Sequence, residues 1–153
     1  MNGAGTENTD AVRFFYGEEA KGKLVRDKLE TVILGENHGV KSRKLKKDEL
    51  ISAIIDKQAE ETSELIEAIK LGSRDEVIEE LADLKSLFNS LLHALKISKD
   101  EVDEAERVKS EKKGSFYEGA FIEYVDLNPI GVDYDLWLKY FRSNSDRYKE
   151  IEA

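Results

Sequence analysis

Two long stretches of helical periodicity, joined only by Gly72 and Ser73, constrain this chain more than any other feature. The first runs from Asp48 to Leu71 and places apolar residues at Leu50, Ile51, Ile54, Ile55, Ala59, Leu65, Ile66 and Ile69. The second carries Val77, Ile78, Leu81, Leu84, Phe88, Leu91, Leu92 and Leu95. Both patterns keep a helical period. Gly72 suits the residue just past a helix end. Ser73 with Glu76 has the spacing of a capping box that opens the next helix. So short a connection favours antiparallel neighbours, as in a helical bundle.

Each stretch also carries an acidic pair three residues apart, Glu61 with Glu64 and Glu80 with Asp83. Residues at that spacing are neighbours on a helix, with Cβ atoms roughly 5–6 Å apart. Glu61 lies beside the stripe through Ala59 and Leu65, and Glu80 and Asp83 flank Leu81 and Leu84. All four therefore sit towards the buried side. If the helices pack antiparallel, four carboxylates share one volume. Two such charges ~4 Å apart repel by about 4 kcal/mol at an effective dielectric near 20. Such a cluster opens to water, takes up protons or holds a cation. Oxygen ligands suit a hard divalent ion such as Mg²⁺. The bland alternative is that Glu and Asp are ordinary surface residues of helices, and one such pair alone carries no weight.

The remainder of the chain supports a mainly α reading. The 153 residues fit a single domain. Met1 to Asp10 reads as a flexible polar tail, unlike a signal peptide. Val12 to Tyr16 reads as a strand or a packed arm, and Leu24 to Leu34 as a short helix ended by Gly35. Ser98 with Glu101 repeats the capping pattern and opens a helix that runs to about Lys113, before Gly114. Phe116 to Val125 alternates loosely and reads as extended; Pro129 and Gly131 break the chain; Tyr134 to Arg142 reads as a last amphipathic helix. The tail from Pro129 to Ala153 has three candidate roles: capping the bundle, covering a pocket or mediating assembly.

Charge and composition exclude several classes. The net charge of −9, from 24 basic and 33 acidic side chains, argues against a general nucleic-acid binder. A phosphate substrate stays open, because a bound metal inverts the local charge. The absence of cysteine removes disulfides, thiolate zinc sites and cysteine nucleophiles. No apolar run approaches the ~20 residues of a membrane span, so a soluble cytoplasmic protein is expected. His38 and His93 form no Glu-x-x-His pattern of a di-iron bundle, and His93 reads as a helix-packing residue. The run Lys41-Ser-Arg-Lys-Leu-Lys-Lys47 reads as a solvated loop. Phe116, Tyr117, Phe121, Tyr124 and Trp137 are read as packing a C-terminal arm or a subunit interface, with base stacking as the alternative.

One segment imitates a phosphate-cradling P-loop. Gly17-Glu-Glu-Ala-Lys-Gly-Lys23 has nearly the right spacing, but Leu24 stands where the motif needs Ser or Thr for Mg²⁺. Glu18 and Glu19 would put negative charge into the cradle, and the βαβ alternation that carries such loops is missing. The P-loop reading is rejected.

Four segments in order carry a family resemblance: Lys23-Leu-Val-Arg-Asp-Lys28, Glu60-Glu61-Thr-Ser-Glu64, Glu79-Glu80-Leu-Ala-Asp83 and Glu111-Lys-Lys-Gly-Ser-Phe116. Together they resemble the MazG-like, all-α nucleoside triphosphate pyrophosphohydrolases, in the phosphoribosyl-ATP pyrophosphohydrolase-like branch. The resemblance spans Lys23 to about Phe121. It implies an antiparallel helical bundle with short irregular or extended terminal segments. The helical domain is placed at 23–125; outside the resemblance, the chain itself reads as a flexible arm at 1–22 and a C-terminal extension with a short helix at 126–153. The resemblance also implies Mg²⁺-dependent hydrolysis of nucleoside triphosphates to monophosphate and pyrophosphate, with Mn²⁺ as a substitute ion. Glu61, Glu64, Glu80 and Asp83 would be metal ligands, and Glu60 or Glu64 the base that positions water. Lys57 would contact phosphate or pair with Glu60, Glu61 or Glu64. Arg26, Lys28, Lys112 and Lys113 are further phosphate-contact candidates. A homodimer or homotetramer is implied as well, and exposed apolar stripes on the long helices agree with it. Two alternatives stand beside this reading: a non-catalytic helical interaction module, and hydrolysis of phosphoribosyl-ATP.

Overall fold

The computed structural model describes residues 11–17 and 21–151. The expectations for Met1 to Asp10, and for Glu18 and Glu19, lie outside them. The described residues form five helices and no strand: α1 Leu29–Gly35, α2 Lys47–Leu71, α3 Arg74–Leu95, α4 Lys99–Lys113 and α5 Tyr134–Ser143. The all-α class is therefore as expected. The chain divides into two compact units, Met1–Val108 and Lys109–Ala153.

The first unit is organised by α2 and α3, which pack along one another. Gly72 ends α2 in the left-handed conformation, at φ +72°, which glycine adopts without a Cβ penalty. The Ser73 N–H then donates to the Ala68 carbonyl at 3.2 Å, and the Gly72 N–H to Ile69 at 3.1 Å. These bonds satisfy carbonyls left over at the helix end. They also explain why the expected box at Ser73 and Glu76 is absent. Ser73 is the N-cap of α3 but makes no side-chain cap bond. Its N–H, which Glu76 would have accepted, is already committed to α2. At Ser98 that amide is free, and the box forms: Glu101 accepts from both the Ser98 N–H and hydroxyl at 2.8 Å, and the Glu101 N–H donates back at 3.2 Å.

The core is small. Ile54 and Ala68 of α2 and Leu92 of α3 are its buried apolar residues among those described. Much of the apolar stripe is left half exposed, including Ile55, Ile66 and Ile69 on α2 and Ile78 and Leu81 on α3. His93 does not pack between helices: it is exposed in the last turn of α3, at the negative end of the helix dipole.

Three local expectations are corrected. Helix α1 starts at Leu29 rather than Leu24. Residues 22–26 run without helical hydrogen bonding, and Lys23 and Arg26 reach acids on the long helices instead. Val12 to Tyr16 is neither a strand nor packed, since Val12, Phe14, Phe15 and Tyr16 are all exposed. Phe116 to Val125 stays irregular or extended, but Phe116, Tyr117, Phe121 and Tyr124 are exposed rather than packed within the chain. Neither run has a partner strand among the described residues, and short strands do not persist alone.

In the second unit, α5 folds against the residues that follow it. The Phe141 and Tyr148 rings meet edge to face with centroids 4.8 Å apart, and Trp137 stacks on Phe141 at 5.9 Å. Arg142 grips Glu150 with two nitrogens, at 3.0 and 2.7 Å. Trp137 thus belongs to an aromatic cluster within its own unit.

Candidate active site

Helix periodicity decides which side chains meet. Lys57, Glu60, Glu61 and Glu64 fall on one face of α2, at spacings of three and four. The short turn brings α3 back alongside, and Glu80 and Asp83 arrive opposite Glu61. Carboxylate oxygens of Glu61, Glu80 and Asp83 all lie within 4.8 Å of one another, as do those of Glu60, Glu61 and Glu64. Glu61 belongs to both groups. It is 4% exposed and is the one buried charged side chain among the described residues.

Three cations face this cluster. The Lys57 ammonium bonds Glu60 at 2.8 Å and also contacts Glu61. Lys23 bonds Glu60 at 2.9 Å, and Arg26 pairs with Asp83. Burial works against the Lys57 ammonium, but its bonds to Glu60 and Glu61 prevail and hold its pKa above the ordinary value. Lys57 and then Lys23 hold the Glu60 carboxyl below the usual range.

Glu64 and Glu80 go the other way. Loss of water around its carboxyl, then the nearby Glu61, raises the Glu64 pKa, although the side chain as a whole is exposed. Glu80 is pushed up to about 7, first by its hydrogen bond with Glu61, then by desolvation and by the charges of Glu61, Glu64 and Asp83. Its Oε2 is enclosed and has no hydrogen-bond partner. An enclosed acceptor without a donor is costly unless something absent supplies the missing charge. A converging all-oxygen donor set with an orphaned carboxylate oxygen fits a hard divalent cation such as Mg²⁺ or Mn²⁺.

An open depression of about 330 Å³ adjoins the cluster, lined in part by Glu64, Ala68, Glu76 and Glu80. A second cleft, of about 180 Å³, lies on the other side, between residues 22–24 and α2.

Of the four acids expected to share a site, Glu61, Glu80 and Asp83 form one group of three, and Glu64 joins Glu61 and Glu60 in the other. Arg26 and Lys57 are at the site as well. Lys28 lies at the start of α1 and makes none of these ion pairs. Lys112 and Lys113 close α4, in the second unit. Sequence reasoning missed Lys23 as a site residue. Its signal was present in the Lys23-Leu-Val-Arg-Asp-Lys28 segment, but nothing in the sequence says that a side chain 37 residues from Glu60 would reach it.

A family model described as phosphoribosyl-ATP pyrophosphohydrolase matches residues 26–109, more than half of the chain. The searches of curated proteins and of solved structures return no match. The matched span holds Arg26, Lys57 and all five acids of the cluster and leaves out Lys23, Lys112 and Lys113. With its helical architecture and the span matched, the chain belongs to the phosphoribosyl-ATP pyrophosphohydrolase family, within the MazG-like all-α superfamily of pyrophosphohydrolases.

Proposed function

We propose that this protein is a metal-dependent nucleotide pyrophosphohydrolase that cleaves nucleoside triphosphates between the α and β phosphates. The observation that carries the reading is the pair of three-acid groups that share Glu61, one with Glu60 and Glu64 and one with Glu80 and Asp83, with an orphaned carboxylate oxygen among them. Glu61, Glu64, Glu80 and Asp83 would hold Mg²⁺, or Mn²⁺ in its place, which when bound offsets phosphate charge and acidifies water. A non-catalytic interaction module would have no use for such mutually repelling groups and would leave the acids singly exposed.

The chain's own groups divide the remaining work. Glu64 is better suited as base than Glu60, because desolvation and the nearby Glu61 raise its pKa while two lysines hold that of Glu60 down. In the hydrolysis, a water oxygen bonds to a phosphorus of the α–β bridge and the bridging P–O bond breaks. Glu64 takes the water's proton, and nucleoside monophosphate and pyrophosphate leave. Lys57 and Arg26 are placed to meet phosphate oxygens once their carboxylate partners are engaged elsewhere. Lys28 is a further phosphate-contact candidate in this reading; Lys112 and Lys113 belong to the second unit and carry no part of it.

A second substrate is favoured by the matching family's own description: phosphoribosyl-ATP carries the same α–β bridge. The proposal includes a homodimer or homotetramer, supported by the half-exposed Ile55, Ile66, Ile69, Ile78 and Leu81. No helix among the described residues is long and apolar enough to cross a membrane, and the reading places the protein in the cytoplasm.

The test is pyrophosphate release in Mg²⁺ from a panel of nucleoside triphosphates and from phosphoribosyl-ATP, beside the Glu80→Gln variant. Turnover of one or more triphosphates, reduced about 10²- to 10³-fold in the variant, is expected, the size seen when one electrostatic stabiliser is removed. Turnover of phosphoribosyl-ATP alone would establish the second substrate, and no pyrophosphate from any of them would end the proposal.

A further inference from the structure

Gly17 and Gly22, in the glycine–lysine segment that half imitates a P-loop, are held in a specific arrangement. The Gly22 N–H donates to the Tyr16 carbonyl at 2.8 Å. Gly17 and Gly22 both have positive φ, +82° and +86°. A Cβ on Gly17 would stand 3.0 Å from the Gly22 carbonyl oxygen. Glycine is required at that crossing for both reasons. The residue that leaves it is Lys23.

Lys23 and Lys57 reach the same oxygen. The two ammonium groups lie 2.9 and 2.8 Å from Glu60 Oε1, one from the residue after Gly22 and the other from α2. The cleft of about 180 Å³ lies against them, lined by residues 22–24 and by Ala53, Asp56, Lys57 and Glu60. Glu60 holds two cations with one carboxylate. A phosphate group carries more charge and three strong acceptor oxygens, so it can replace a carboxylate between two ammonium groups. Lys57 also contacts Glu61, which ties this cationic pair to the acid cluster.

We propose that Lys23 and Lys57 form an anion subsite for the departing pyrophosphate, with Glu60 as the counter-ion that gives way to it. This rests on the α–β cleavage proposed above. It gives Glu60 a charge-holding role instead of a share in water activation. It also gives Lys23, which lies outside the family-matched span, a direct contact with the product.

Calorimetric titration of the full chain with inorganic pyrophosphate in Mg²⁺ buffer tests it. Lys23→Ala should weaken binding about tenfold with the melting temperature unchanged, since the pair it breaks is an exposed one. Lys23→Arg should restore most of the affinity. Glu60→Gln should tighten binding several-fold, because it removes the competing anion. A carboxylate that merely orients the lysines predicts the opposite sign. Wild-type affinity in Lys23→Ala, weaker binding in Glu60→Gln, or no pyrophosphate binding by the wild type would each overturn the subsite. If the wild type hydrolyses triphosphates while any of these holds, the subsite fails and the proposed function stands. If pyrophosphate binds as expected but no substrate is hydrolysed, the subsite stands and the proposed function fails.

Discussion

The Lys57 ammonium contacts Glu61 one helical turn further along α2, and Glu61 is the one buried charged side chain among the described residues. Burying a carboxylate is costly unless a cation or donor compensates it. Lys57 supplies that compensation from its own helix, before any ion or substrate arrives. Replacing it by Met keeps the stem and removes the charge. We expect Lys57→Met to destabilise the chelator-treated protein by about 3 kcal/mol, the scale of breaking a partly buried pair from one side. Urea denaturation measures the loss, and Mg²⁺ should recover part of it.

Glu80 sets the pH response. Its folded-state pKa of about 7 lies above the ordinary 4.5, so the folded protein binds a proton that the unfolded chain has lost. Stability then falls as pH rises between these values. Glu64, raised for related reasons, adds in the same direction. Melting in chelator should show a midpoint that declines from pH 4.5 to 7. In Glu80→Gln the decline should be much smaller, and the metal-free variant should melt above the wild type near neutrality. A flat wild-type profile would refute the electrostatic account of this cluster.

Mg²⁺ should reverse that loss. An ion bound only by the folded state, at a hundredfold excess over its Kd, adds about 2.7 kcal/mol. For a chain of this size that is roughly 5–10 °C in melting midpoint. Scanning calorimetry with and without Mg²⁺ reads it directly. Glu61→Gln and Glu80→Gln should lose most of the shift, whereas a change at the exposed Glu104, which pairs with Arg107 on α4, should keep it.

The two helix starts make a paired comparison. Ser98 makes a complete reciprocal cap with Glu101, so Ser98→Ala should cost about 1 kcal/mol. Ser73 makes no side-chain cap bond, so Ser73→Ala should fall within a few tenths of neutral. Equal losses in urea denaturation would contradict the hydrogen bonding described.

What could be read without coordinates follows from the range of each interaction. Helices α2 and α3 were legible because their apolar residues recur over many turns and Gly72 marks the break. The acid cluster followed, since i,i+3 spacing and a short turn bring the pairs together. The start of α1 was not legible. Leu24 and Val25 look helical locally, but Lys23 and Arg26 are drawn to acids 37 and 57 residues away. The aromatic runs at Val12 to Tyr16 and Phe116 to Val125 have strand-like composition, and composition does not say whether a partner strand exists. The Ser73 box matched its pattern and failed because the Schellman bond of the preceding helix had already taken the amide.

The two-residue link at Gly72 and Ser73 acts as a ruler. An α-helix turns by about 100° per residue. One residue added to or removed from α3 ahead of Glu80 would swing Glu80 and Asp83 about a quarter of the way round the axis, away from Glu61. Chain length here, and not only side-chain identity, is part of the chemistry: tolerance to substitution along this hairpin should be far greater than tolerance to insertion or deletion.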